Sequence, residues 1–320
     1  MSSLREAVQG WPKDRAAYTA FFGDNSPRGR LRTVLKNLAT VEGHIAAEER
    51  NDIDGIVGTI TDDCRFILVF QDRRKGPFFQ IITTKEGARN HYLRARGFQE
   101  VVNSNHLTQV ATDWYVFYES LATLRLVGDI AGVKGEGQPF ALSSLALFPV
   151  AADGIIGEVP WSRYELRDTV RGTVPVPQAA SHLPLTEARN VETHDRFLTA
   201  MQRGDIDAVL DLLPPDCVWA TRNYFLPGGP VVAAKGKEEV RCYLQAMRDS
   251  VQVVGLTVLN RTVKSWYVFA EVLWRLRRIG PPSGGSPAGQ ELELRTAAIY
   301  PVTEDGLLLG ELGYGTDWPG

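Results

Sequence analysis

The chain has 320 residues, 44% of them hydrophobic, with 35 lysines and arginines against 38 aspartates and glutamates and a net charge of −3. That length suits roughly two domains, and the composition excludes disordered and fibrous classes. The missing basic surplus argues against nucleic acid as a partner. No apolar run approaches the roughly 18 residues of a membrane span, and three cysteines make no disulfide framework.

Residues 1–40 read as an irregular leader, with Trp11-Pro12 and Asn25-Ser26-Pro27, followed by a helix. The leader begins Met1-Ser2-Ser3-Leu4-Arg5-Glu6 and lacks the apolar core of a signal peptide, so a cytoplasmic location is expected. In the helix Leu31, Val34, Leu35, Leu38, Val41 and Ile45 keep helical spacing. Ile53, Ile56, Val57 and Ile60 predict a short second helix, Phe66–Phe70 a strand, and Lys85–Arg96 a third helix. Strands are predicted at His106–Ala111, Trp114–Val127, Phe140–Val150 and Ile155–Glu158, with a hairpin turn at Asp153-Gly154.

The same order then returns. Asp52-Ile53-Asp54 recurs as Asp205-Ile206-Asp207, Asp63-Cys64 as Asp216-Cys217, and Trp114-Tyr115-Val116-Phe117 as Trp266-Tyr267-Val268-Phe269. Pro149-Val150 with Asp153-Gly154 recurs as Pro301-Val302 with Asp305-Gly306, and Gly157-Glu158 as Gly310-Glu311. Five collinear matches at a near-constant offset of roughly 150 residues define an internal duplication. The expected layout is a first domain at 41–168, a Pro-rich linker at 169–190 and a second domain at 191–320. Each copy places helices before a mostly antiparallel meander, an α+β pattern.

This order, with the Asn51-Asp52-Ile53-Asp54 and Gly204-Asp205-Ile206-Asp207 helix starts, the Asp-Cys pair and the Gly-Glu pair, resembles the nuclear transport factor 2-like fold. More narrowly it is similar to the SnoaL-type polyketide cyclase group and its relatives. The resemblance implies two cone-shaped α+β barrels, each of three helices on a curved sheet. It further implies a pseudo-twofold internal pair, as a monomer or a homodimer.

The family's chemistries map unevenly. Positions corresponding to the carboxylates of ketosteroid isomerase hold Leu68 and Ala146, or Thr221 and Ala298, and its helix-1 tyrosine corresponds to His44 or Phe197. The Arg-x-Asp pair of limonene epoxide hydrolase corresponds to Ser120 and Ala122, or Val272 and Trp274. Scytalone dehydratase-like members place one histidine at His106 and a second near Glu119. A histidine with a carboxylate partner can move a proton at neutral pH. The second copy has Val258 opposite His106 but keeps Glu271.

The resulting expectation is a cofactor-independent cyclase, dehydratase or isomerase of secondary metabolism, with its active pocket in the first domain. His106 and Glu119 are the candidate catalytic pair; Tyr118, Asn105, His44, Trp114 and Tyr92 are candidate substrate-binding residues for a small apolar or aromatic oxygenated molecule. Each has a blander reading beside it. His106 is otherwise a strand-end histidine, Glu119 and Glu271 a shared structural ion pair, His44 a packing histidine, and the aromatics core. The sequence has no metal-ligand spacing, and Ser283-Gly284-Gly285-Ser286-Pro287 reads as a hairpin tip, so neither metal nor nucleotide cofactor is expected. The alternative function is a non-catalytic module with two degenerate pockets.

Overall fold

The computed structural model describes residues 27–72, 76–129, 134–165, 184–222, 231–279 and 289–318. They fall into two compact units that divide between Ala179 and Ala180. The first contains α1 (Pro27–Glu49), α2 (Ile53–Gly58), β1 (Phe66–Asp72), β2 (Gly76–Ile82), α3 (Lys85–Arg96), β3 (Gln99–Ala111), β4 (Tyr115–Leu126), β5 (Pro139–Ala151), β6 (Gly154–Ile155) and β7 (Val159–Glu165). The second contains α4 (Pro184–Arg203), α5 (Ile206–Asp211), β8 (Val218–Arg222), β9 (Val231–Lys235), α6 (Gly236–Ser250), β10 (Val251–Lys264), β11 (Tyr267–Arg278), β12 (Glu291–Pro301) and β13 (Gly310–Trp318).

The repeated helix-start motif does the same backbone work in both units. A helix ends in a left-handed residue, Asn51 at φ 57° or Gly204 at φ 66°, the two residue types that tolerate that conformation. The next residue caps the short helix. Asp52 accepts from the Gly55 amide at 2.9 Å and Asp205 from the Ala208 amide at 3.1 Å, satisfying one of the amides a helix start leaves open. The second aspartate of each motif reaches across to the third helix, Asp54 to Arg89 at 2.6 Å and Asp207 to Arg241 at 2.7 Å.

The sheets share one topology. The first runs β2-β1-β7-β5-β4-β3, with β6 beside β5, and the second runs β10-β11-β12-β13-β8-β9. Neighbours are antiparallel except where the last strand lies parallel to the first, β7 beside β1 and β13 beside β8. Gly310 makes the second of these junctions possible. It sits at φ 152°, and a Cβ there would lie 1.5 Å from the Val218 carbonyl oxygen.

On β4, Val116 and Tyr118 pack with Val41 of α1, and Ala122, Leu124 and Leu126 continue the same face. In the second unit Phe197, Met201, Val209, Trp219, Leu244 and Trp274 belong to one core. The α+β class, the duplication and the order of elements agree with the sequence reading. Four details differ. Helix α1 crosses the expected boundary at residue 40, and α4 starts at Pro184, inside the expected linker. Strands β2 and β9 were not foreseen, and the last strands run further on than expected, to Glu165 and Trp318. Residues 1–26, most of the linker and the 283–287 hairpin tip lie outside the described residues.

Candidate active site

The expected His106–Glu119 pair does not form. His106 lies opposite Ser120 in the β3–β4 ladder, and Glu119 lies opposite Thr108, with a bulge between the two pairs. Adjacent residues on β4 point to opposite faces, so Ser120 and Glu119 carry their partners apart. The exposed His106 bonds Ser120 Oγ at 2.9 Å and lies tilted at 50° against Tyr118, with ring centroids 4.6 Å apart. Glu119 is buried and accepts from Thr108 Oγ1 at 2.7 Å. Its counterpart Glu271 is ion-paired to Arg295 and accepts from Asn260 Nδ2 at 2.6 Å. Both glutamates thus bind groups within the sheet.

Two of the expected substrate-binding residues, His44 and Tyr92, do meet. His44, at 0% exposure on α1, places Nδ1 2.6 Å from Thr59 Oγ1. The Thr59 hydroxyl donates to the Ile56 carbonyl at 2.7 Å. Its oxygen is therefore left to accept, so His44 Nδ1 carries a proton. His44 Nε2 stands 3.1 Å from Tyr92 Oη, and Tyr92 Oη is 3.3 Å from Glu158 Oε2. Glu48, one turn along α1, lies 3.5 Å from the same Nε2. The chain Thr59–His44–Tyr92–Glu158 draws on α1, α3, the residue after α2 and the residue before β7.

Burial first, and then the charge of Glu48, push the Glu158 carboxyl up to about 8, against the pull of His44 and the Tyr92 bond. Burial pulls the His44 imidazole down, but the bond to Glu48 and the charges of Glu48 and Glu158 outweigh it, and its pKa lies above the ordinary value. One proton is thereby shared between two ends. With Glu158 protonated, Tyr92 donates to a neutral His44. With His44 protonated at both nitrogens, Tyr92 donates to the Glu158 carboxylate. His44 is sealed off, while Tyr92 and Glu158 are only partly buried, so a ligand in this unit would meet the Tyr92–Glu158 end.

The second unit repeats the carboxyl and dismantles the relay. Glu311, the Glu158 counterpart, is 9% exposed and accepts from Tyr300 Oη at 3.1 Å. Burial raises its carboxyl to about 7. Phe197 and Met201 stand where the first unit has His44 and Glu48. Glu311 and Tyr243 line a cavity of about 40 Å³, together with Trp219, Trp274, Thr221 and Thr296. Trp274 Nε1 donates to Thr296 Oγ1 at 2.8 Å, whereas Trp219, at 1% exposure, leaves its indole N–H buried without a partner. His194 is also fully buried, with both ring nitrogens unpartnered between Phe197 and Tyr300.

The remaining expected residues stand apart. Asn105 is exposed on β3. Trp114 is buried against Tyr115, with ring centroids 4.8 Å apart. Tyr118 is buried, accepts from Gln109 Nε2 at 2.6 Å, and has its hydroxyl pushed up to about 12 by burial. Cys64 and Cys217 are buried thiols. Sequence reasoning missed Glu48, Thr59, Glu158, Tyr300 and Glu311. The signal for two of these lay in the repeated Gly-Glu pair, which preserves an acidic residue at the same point of both copies. Among the described residues no three histidine, cysteine or acidic side chains are placed to hold a metal ion, and no helix is long and apolar enough to cross a membrane.

These features define a tandem pair of α+β units, each with a carboxyl of raised pKa at the start of its last strand. A model of the SnoaL-like domain family matches residues 194–310, most of the second unit. The second unit thus carries the SnoaL-like domain match, and the first unit repeats its motifs and element order. Among solved structures it is similar to a candidate polyketide cyclase of Xanthomonas campestris pv. campestris, at 24% identity over 40% of this chain and 91% of that one, TM-score 0.33. A candidate isomerase of Bacillus subtilis matches at 18% identity over 41% and 88%, TM-score 0.34. A ketosteroid isomerase-like protein of Erwinia carotovora atroseptica SCRI1043 matches at 16% over 42% and 97%, TM-score 0.33. No curated protein matches the sequence.

Proposed function

We propose that the first unit is a cofactor-independent enzyme that moves protons on a small, apolar, oxygenated molecule, as a cyclase, dehydratase or isomerase does. The observation that carries this reading is the His44–Tyr92–Glu158 chain. A carboxyl raised to about 8 is largely protonated at neutral pH, so Glu158 can donate to a substrate carbonyl or hydroxyl oxygen. The carboxylate it becomes is met at once by the Tyr92 hydroxyl, and the proton that the substrate later releases from carbon restores the acid. In the opposite direction the Glu158 carboxylate takes a proton from carbon, and the negative charge passes to the enolate oxygen of the substrate. His44 acts through Tyr92 as a positioning residue; in this reading Glu158 and Tyr92 are the groups that meet substrate. His106 has no part in this scheme.

The test is deuterium uptake from D₂O at the carbon next to the carbonyl in a panel of aryl ketones and aromatic β-ketones, followed by proton NMR. Wild-type protein is expected to accelerate exchange in at least one compound. Glu158→Gln is expected to lose on the order of 10²-fold or more, the usual worth of a positioned acid or base. Tyr92→Phe is expected to lose less, and His106→Ala nothing. Undiminished exchange in Glu158→Gln overturns the assignment. A binding-module reading suits the second unit better, because Phe197 and Met201 leave Glu311 without the histidine and the second carboxylate.

A further inference from the structure

Two spaces in the second unit share a wall. The inner one is the cavity of about 40 Å³ beside Glu311 and Trp219. An outer one of about 180 Å³ lies where α4, α5, α6 and β10 come together, and both touch Met201, Met247, Val251 and Val253. Alone, the inner space suits a few waters; joined, the two exceed the roughly 150 Å³ that holds a benzene ring. The dividing methionines are adaptable side chains that let a ligand body pass.

The two ends differ in chemistry. The outer space is bordered by Arg203 and Arg248, both exposed. Its one acidic border residue, Asp205, is committed to capping α5. Asp249 lies 3.7 Å from Arg248 Nε, a loose exposed pair. Two arginines against one bordering aspartate leave the lining of the mouth with a net positive charge. The inner end is aromatic and holds a buried indole N–H with no acceptor. A buried donor without an acceptor destabilises the empty site, and a bound acceptor relieves that. The carboxyl of Glu311 stands on the same wall.

We infer that the second unit binds, without turning it over, a small oxo acid with an apolar body: its carbonyl oxygen seated at Trp219 Nε1 and Glu311, its carboxylate at Arg203 and Arg248. The apolar body crosses the methionine wall. The absence of a His44 equivalent is what makes this a binding site and leaves chemistry to the first unit.

The test is isothermal titration calorimetry of the full chain with 3-(4-acetylphenyl)propanoate, its methyl ester and 3-(4-ethylphenyl)propanoate. The oxo acid is expected to bind. The ester, which lacks the charge, is expected to bind at least ten-fold more weakly, and Arg203→Ala with Arg248→Ala to weaken the acid to the ester's level. Removing the ketone is expected to weaken binding about five-fold, the worth of one hydrogen bond. Trp219→Phe is expected to erase that difference. No heat at millimolar acid overturns the proposal, as does equal binding of acid and ester or acid binding left unchanged by Arg203→Ala with Arg248→Ala. Equal binding of ketone and ketone-free acid shows that only water fills the inner end and overturns it too. The three wild-type titrations decide the matter even if a variant fails to fold.

Discussion

Replacing Glu311 by glutamine isolates the cost of keeping an acid in the second unit's interior. Glutamine preserves the shape and can still accept from Tyr300, but it cannot ionise. The Glu311 carboxyl is raised by burial from 4.5 to about 7. A raised carboxyl holds its proton more tightly folded than unfolded. Its stabilising contribution is therefore complete below about pH 4.5 and is lost as pH rises through 7. At about 1.4 kcal/mol per unit, the wild type should lose about 2–3 kcal/mol relative to Glu311→Gln between about pH 5 and pH 8. Urea titrations at the two pH values, read by the fluorescence of Trp219 and Trp274 in this unit's core, measure that difference directly. Parallel pH dependence in the two proteins would refute the reasoning, because it would mean that the Glu311 carboxylate is solvated when the unit is folded.

Three further outcomes are expected. His194 is buried without partners, and burial, aided by Arg261, lowers its pKa to about 3. The unfolded chain then binds the proton more readily, so acid should cost the wild type about 2 kcal/mol relative to His194→Phe between about pH 7 and pH 5, by urea titration. Asp205→Ala removes the cap on α5 and should cost about 1 kcal/mol in the same assay, with Asp205→Asn closer to wild type. Gly310→Ala must displace backbone at the β8–β13 junction; it should abolish the cooperative transition of the second unit, and a melting curve like the wild type's would contradict the close approach described here.

The fold was legible because its repeated residues act locally. Asn51 or Gly204 turns the chain, Asp52 or Asp205 caps the next helix, and each does so with neighbours a few residues away. The site was not legible for the opposite reason. Its proton chain joins residue 44 to residues 92 and 158, and no spacing rule links them. The His106–Glu119 expectation failed on one bulge, since an extra residue in β3 decides which face each side chain takes. Strands β2 and β9 escaped notice for another reason: β2 carries Pro77, which argues against a central strand but is tolerated at a sheet edge, where β2 lies.

The parallel insertion of β13 between β12 and β8 has a consequence for biosynthesis. Until residues 310–318 leave the ribosome, β8 and β12 each present an open edge, and the second unit's sheet remains in two pieces. The first unit meets the same delay at β7. A nascent chain therefore carries two slots of one design, filled in turn, and each waits for a strand that is roughly 90 residues distant from its parallel partner. Open edges are templates for pairing with other strands. Val159–Glu165 and Gly310–Trp318 differ in length and residue pattern, so the two slots are closed by strands of different sequence.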